Sequence, residues 1–508
     1  MKHTQPSPWT ILAASGLVLQ GGCAPKDQIS HEENRDKPNI VVILADDLGF
    51  GDLSCYGAVR LHTPNIDRLA AGGLRFSNGY CTAATSTPSR FSLLTGQYAW
   101  RNDRARVLPG DAPLLIDPSV TTLPGMLQDA GYVTGIVGKW HLGLGTGTID
   151  WNRPVQAGPN QVGFDYSYIM PATNDRCPTV FIENGIVVGL NPLDPITVNY
   201  KENFPGEPTG KDYPDRIRMG LTQGHAGTIV NGISRIGFMK GGTRARWTDE
   251  NMADTFLLKA QEFITANSDR PFFLYYALHE PHVPRVPNQR FVGRSGLGPR
   301  GDAILEADWA VGEFLERLDE LGLIHSTLVI FTSDNGPVLD DGYADQAMEL
   351  NGSHTPCGPM RGGKYSLFEA GTHVPFIVSW PGTIQPGISD ALVCQVDLTA
   401  SFAALVGQPN PGPDSENVLE ALLGRSPAGR TCLILENGNG RTVLRENEWI
   451  MIPPYPGRQL YEDVNIETGF SVDYQLYNLI LDSGQKENLA AHKTEKLNQM
   501  VEELKRRR

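Results

Sequence analysis

The sequence predicts an α/β protein: a large, mostly parallel sheet sandwiched by helices, followed by a small C-terminal α+β subdomain. Three observations carry this reading. Short continuous apolar runs rich in β-branched residues recur at 39–44, 272–276 and 327–332, the composition of strands buried on both faces. Stretches with helical spacing of apolar residues lie between such runs. The 508 residues, 40% of them hydrophobic, suffice for one large core with an appendage.

The chain opens on a segment with the pattern of a targeting signal, residues 1–23. Lys2 and His3 precede an apolar stretch at 9–19 that is too short to span a bilayer. Gln20-Gly21-Gly22-Cys23 then resembles a bacterial lipoprotein signal, in which Cys23 is lipidated. Gln20 stands where an aliphatic residue is usual, and a plain cleaved signal peptide is the other reading. Either one predicts export, to the periplasm or the cell surface, with membrane contact only through a lipid on Cys23. Residues 24–37 are polar and charged and read as a tether.

Residues 38–425 hold the predicted main domain. After the strand at 39–44 come helical patterns at 64–76 and 122–130, the latter leading into a strand at 132–137. A helix at 249–266 is ended by Arg270-Pro271 before the strand at 272–276. A helix at 303–321, strands at 327–332 and 374–379, and a helix at 397–406 continue the alternation. Between 150 and 249 the pattern fails. That Gly-, Pro- and Asn-rich region predicts long excursions over the strand ends, where α/β folds form pockets. Residues 426–508 carry strand-like runs at 431–435 and 441–452 and a polar terminal helix, predicting a small antiparallel sheet.

The formal charge of −14 opposes binding to nucleic acid or anionic lipid. An anionic substrate would therefore need cations concentrated in one pocket. Besides Cys23 there are Cys55, Cys81, Cys177, Cys357, Cys394 and Cys432, with no CxxC pair, which argues against a zinc ribbon or redox motif. Disulfide pairing and buried free thiols both remain open for these six.

Residues able to do chemistry gather after the predicted strands. Asp46-Asp47 follows the first strand, and Asp334-Asn335 follows the strand at 327–332. An isolated Asp-Asp is ordinarily a turn or cap. Adjacent carboxylates at two strand ends, however, need a cation or strong donors, and an oxygen-only set suits Ca²⁺ or Mg²⁺ rather than zinc. Ser86-Thr87-Pro88-Ser89-Arg90 reads as a helix start, with Ser86 as cap and Pro88 at the first position. Arg90 then lies one turn on, where the helix's first amides also favour an anion. Lys139 and His141 follow another strand and would point the same way if extended. His279 and His282 follow the strand at 272–276, and Lys364 sits in the loop Arg361-Gly362-Gly363-Lys364.

Taken together and in this order, these motifs resemble the type I sulfatases of the alkaline phosphatase superfamily, over residues 37–491. The resemblance implies an alkaline phosphatase-like fold. It implies that Ser86 is oxidised to formylglycine (3-oxoalanine) by an oxygen-independent radical maturation enzyme acting on the unfolded chain. It places one Ca²⁺ per subunit, with Mg²⁺ as the alternative, on Asp46, Asp47, Asp334 and Asn335, beside the modified Ser86. Arg90, Lys139, His141, His282 and Lys364 are then the catalytic set. The metal and the lysines neutralise the sulfate ester and Arg90 helps hold the hydrated aldehyde, one of whose hydroxyls attacks sulfur. His282, with Lys364, serves the departing alcohol oxygen, and His141 takes the proton from the second hydroxyl to release sulfate. Thr173 falls where many sulfatases place a small hydroxyl residue beside the nucleophile. Asn174, Asp175, Arg176 and His279 are candidates for contacting a sugar. The function so implied is an exo-acting carbohydrate sulfatase, with sulfated galactose or N-acetylgalactosamine favoured. A phosphoester or phosphonate hydrolase of the same superfamily and a non-catalytic lipoprotein that binds sulfated glycans are the alternatives.

Overall fold

The computed structural model describes residues 37–508, so the signal segment, Cys23 and tether residues 24–36 lie outside the described residues. β1 (Asn39–Ala45) shows why a sheet forms at the centre. Side chains alternate across a strand, so Ile40, Val42 and Leu44 enter one apolar cluster while Val41, Ile43 and Ala45 enter another. Each such Val, Ile or Leu side chain contributes about 1.5–3 kcal/mol by leaving water.

Nine more strands join β1: β2 (Leu74–Tyr80), β3 (Val133–Lys139), β4 (Tyr166–Met170), β5 (Ile182–Glu183), β6 (Ile186–Val187), β7 (Phe272–Ala277), β8 (Thr327–Ser333), β9 (Phe376–Ser379) and β10 (Gly387–Cys394). Their order is β10-β2-β9-β8-β1-β7-β3-β4-β5-β6, and only β9 and β5 run against the rest. The mostly parallel sheet predicted from the buried apolar runs is therefore present. Helices α2 (Ser86–Thr95), α3 (Leu123–Asp129) and α6 (Leu398–Val406) cover one face. Helices α1 (Pro64–Ala71), α4 (Met252–Ala266) and α5 (Gly298–Glu320) cover the other.

Two expectations need correction here. The helical pattern at 64–76 stops at Ala71, where Gly72 and Gly73 end α1 and the chain returns as β2. The region 150–249 is not all excursion, because β4, β5 and β6 extend the main sheet from it. Its remainder does form short two-stranded ribbons, such as Thr197–Asn199 with Phe238–Lys240.

The C-terminal part contains β11 (Cys432–Glu436), β12 (Thr442–Glu446), β13 (Trp449–Ile452) and β14 (Gln475–Asn478), an antiparallel sheet in that order. The run at 441–452 is a tight hairpin, not one strand: Glu446 pairs with Trp449, and Asn447 takes a φ of 47° in the turn. α7 (Thr494–Arg507) adds Met500 and Leu504 to the apolar cluster of this sheet. The subdomain meets the main body just before Ser86: Ala84 N donates to Glu436 O at 2.8 Å, and Glu436 N donates to Thr82 O at 2.9 Å. The six cysteines from Cys55 to Cys432 are all free thiols. No helix among the described residues is long and apolar enough to cross a membrane.

Candidate active site

Parallel register explains why distant motifs converge. Ala45 of β1 pairs with Ser333 of β8, so Asp46 and Asp334 leave the sheet side by side. Leu44 pairs with Ala277 of β7, which pairs with Gly138 of β3, and this sets Lys139 and the His279–His282 segment at the same edge. It is the carboxyl edge of the sheet, where open α/β folds bind ligands.

Ser86 is brought to this edge by α2. The helix begins at Ser86 itself, with Thr85 in the cap position and Pro88 third, so Ser86 is not the cap that the sequence suggested. Its Oγ lies 2.9 Å from Lys139 Nζ, 3.3 Å from Asp46 Oδ1 and 3.4 Å from Asn335 Oδ1. Ser86 thus stands among the residues expected to surround it.

Asp46, Asp47, Asp334 and Asn335 are wholly buried. One cationic group is fixed to an Oδ2 of each carboxylate: Lys139 on Asp46 at 2.6 Å, Lys364 on Asp47 at 2.8 Å and Arg90 on Asp334 at 2.8 Å. The Oδ1 atoms are left to weaker or neutral contacts, with Ser86 Oγ, Asn335 Nδ2 and the Asp47 amide. Burial, reinforced by Asp334 and Asp47, raises the Asp46 carboxyl to about 8 although Lys139 opposes it. Crowded buried carboxylates suit a hard divalent cation, and Asp46 and Asp47, with His282, bring ligand atoms within 4.8 Å of one another, so these residues fit such an ion. His282 stands close to this group, its Nε2 3.9 Å from Asp47 Oδ2. Arg90 bears on a carboxylate of this set and is itself wholly buried.

His141 does not continue β3 as extended chain. Its φ is 55°, so the expectation that it points with Lys139 along one strand face fails. It nevertheless lines the same pocket as Ser86, His282 and Lys364. His141 Nε2 lies 3.0 Å from the Leu108 carbonyl, which can only accept, so Nε2 carries the proton. Nδ1 is buried without a hydrogen-bond partner. Burial, with Lys139 and Arg176 nearby, holds this imidazole well below the ordinary histidine range. A neutral imidazole with a bare Nδ1 has the capacity to accept a proton.

Asp175 and Arg176 line this pocket too, with His225, Asp341 and Tyr365. His225 Nε2 is 3.1 Å from Asp175 Oδ2, and Asp341 bonds both Lys364 and the Tyr365 hydroxyl. The Thr173 hydroxyl is tied to Asp175 and Arg176, two residues of this pocket wall. Asn174 and His279 line a separate small cavity behind His282.

A family model described as "Sulfatase" matches residues 38–408. The chain belongs to the sulfatase family. This sulfatase is 48% identical over 499 residues to the N-acetylgalactosamine-6-O-sulfatase of Bacteroides thetaiotaomicron, covering 97% of this chain and 98% of that one. It is 36% identical to human arylsulfatase A over 410 residues, covering 78% and 70% of the two chains. A structure solved in work on the metabolism of multiple glycosaminoglycans by Bacteroides thetaiotaomicron superposes with a TM-score of 0.91 at 49% identity, covering 92% of this chain and 98% of that chain. The phosphonate monoester hydrolase of Agrobacterium radiobacter shares the fold alone, at a TM-score of 0.55 and 16% identity over 92% and 95% of the two chains. The sulfatase is accordingly a sulfuric ester hydrolase.

Three titratable pocket residues of this sulfatase escaped the sequence analysis: His225, Asp341 and Tyr365. His225 lies in a Gly-rich stretch that offers no periodicity, although a histidine between glycines in an excursion over strand ends was itself a signal. Asp341 belongs to an Asp340-Asp341-Gly342 turn shortly after Asn335 and has no motif to mark it.

Proposed function

We propose that this sulfatase is an exo-acting enzyme that removes the 6-O-sulfate of N-acetylgalactosamine from a glycan. The observation that carries it is full-length similarity, at 48% identity, to an enzyme of that specificity. The polar wall of Asp175, Arg176 and His225 supports a hydroxyl-rich ligand, since each side chain there presents a donor or acceptor to the pocket.

The same reading makes Ser86 the precursor of formylglycine, produced by a radical maturation enzyme. As its hydrate, that group would supply a nucleophile that can shed sulfate without attack by water at sulfur. Asp46, Asp47, Asp334 and Asn335 would hold Ca²⁺, which when bound withdraws charge from a sulfate oxygen. The remaining work falls to side chains already in place. Lys139, 2.9 Å from Ser86 Oγ, and Lys364 put positive charge where an anionic ester must enter. Arg90 orients Asp334 through its Nε and Nη2. His282 faces the pocket to serve the leaving oxygen, while His141 Nδ1 takes a proton at Ser86. Export through residues 1–23, with Cys23 as a lipid anchor, completes the proposal.

Sulfate release from N-acetylgalactosamine 6-sulfate, its 4-sulfate isomer and N-acetylglucosamine 6-sulfate tests the sugar. Preference for the first is expected, and equal turnover of the three would refute it. Mass spectrometry of the Ser86 peptide from the native host should show loss of two hydrogens. Uniformly unmodified serine in active enzyme would undo the assignment. Ser86→Ala should abolish hydrolysis with the fold retained.

A further inference from the structure

Asn174 is only 2% exposed and stands outside the Ser86 pocket, which argues against direct contact with a sugar. Its side-chain amide is held by three contacts. Nδ2 faces the carbonyls of His282 at 3.4 Å and Pro284 at 3.2 Å, and both can only accept. That fixes the amide orientation and turns Oδ1 toward His282 Nδ1, 3.1 Å away. The backbone carbonyl of Asn174 accepts from Arg235 Nη1 at 2.6 Å. Arg235 is in turn wholly buried and chelated by Asp249 through bonds of 2.7 and 2.9 Å.

The consequence falls on the imidazole. His282 Nδ1 faces two acceptors, Asn174 Oδ1 and, at 2.6 Å, the Val283 carbonyl. It must therefore carry the proton, and Nε2 is the nitrogen left for the pocket, on the side of Asp47. The Val283 carbonyl belongs to the same turn as the ring and moves with it. Asn174 sits on another segment, anchored through Arg235 to the start of the Asp249 helix, and so supplies the outside reference.

We infer that Asn174 is a positioning residue for His282: it fixes the ring through Nδ1 and staples the turn that carries it, backed by the buried Arg235–Asp249 pair. The inference rests on the reading that His282 meets the substrate. It assigns Asn174 a task different from sugar recognition, and the two differ in what they do to kinetics. A lost sugar contact raises KM, whereas a loosened catalytic ring lowers kcat.

The test uses the matured protein labelled with ¹⁵N-histidine and the sulfated monosaccharide that it turns over. In the parent, one imidazole, identified by its loss in His282→Gln, should show a protonated Nδ1 protected from solvent exchange. Asn174→Ala should lose that protection and lower kcat about 10²-fold, a cost in keeping with misplacement by about 1 Å. KM should stay within about threefold. Asn174→Asp, of the same size, keeps the acceptor and should keep the protected Nδ1–H even if activity falls. A rise in KM with kcat held would overturn the inference, as would an unchanged Nδ1–H signal in Asn174→Ala or its disappearance in Asn174→Asp. The magnetic resonance arm needs no turnover. Failure of the parent to release sulfate would count against the functional reading alone.

Discussion

Lys364 Nζ lies 2.8 Å from Asp341 Oδ2 and 2.8 Å from Asp47 Oδ2, a lysine held between a pocket-wall acid and an acid of the metal-binding set. Burial opposes its charge, but Asp341 and Asp47 keep the ammonium group well above the ordinary lysine range. Asp341 is thus the wall's means of aiming Lys364. Asp341→Asn should lower stability by about 1.5–3 kcal/mol, the usual loss for a hydrogen bond to a charged group. It should also reduce kcat/KM for the sulfated sugar. Chemical denaturation and steady-state kinetics check both, and wild-type values for the two together would remove Asp341 from the site.

Gly342 has a φ of 103°, and a Cβ built there would stand 2.1 Å from the His225 ring nitrogen Nδ1. Backbone conformation and space both demand glycine. Gly342→Ala should push His225 off Asp175 and raise KM more than it lowers kcat. The strain should cost about 1–3 kcal/mol. Unchanged KM would show that His225 has no part in holding the substrate.

Removal of the divalent metal by a chelator should abolish sulfate release and lower the melting temperature together. Ca²⁺ should restore both. An ion at a hundredfold excess over its Kd adds about 2.7 kcal/mol to stability. Restoration by Zn²⁺ in preference to Ca²⁺ would contradict the proposed assignment of the ion to Asp46, Asp47, Asp334 and Asn335.

Asp397, far along the chain at the start of α6, predicts a pH effect away from the pocket. Burial raises its carboxyl from the ordinary 3.8 to about 7, although Arg430 at 3.4 Å opposes the shift. Between those limits the folded chain keeps a proton that the unfolded chain releases, so this residue's contribution to stability falls as pH rises through the window. Asp397→Asn keeps an acceptor for the Glu416 amide and removes the titration. The variant should lose less stability than the parent between about pH 4 and 7, measured by urea unfolding across that range. Parallel pH profiles for the two proteins would refute this.

What could be read from the sequence was set by how local each cause is. β1, β7 and β8 announce themselves because burial on both faces demands an unbroken apolar run, and the site motifs follow directly from their ends. β2 was hidden because Leu74–Tyr80 contains Arg75, Asn78 and Gly79 and continues the helical spacing of α1. β4 lies in a loop-rich stretch and becomes a strand through pairing with β3. The direction in which Asn174 points depends on the carbonyls of His282 and Pro284, more than a hundred residues away, which no local pattern encodes. His225 and Asp341 meet only because two turns close on each other at Gly342.

The pairing of Glu436 with Thr82 and Ala84 has a temporal side. The backbone immediately before Ser86 is clamped by a strand that the ribosome makes about 350 residues later. At about 5–20 residues per second that delay is roughly 20–70 s. Throughout it Ser86 lies on a nascent chain whose clamp has not been synthesised. The maturation proposed for Ser86 therefore has a time slot written into the chain's own length, and on that proposal slower translation should raise the fraction of molecules modified.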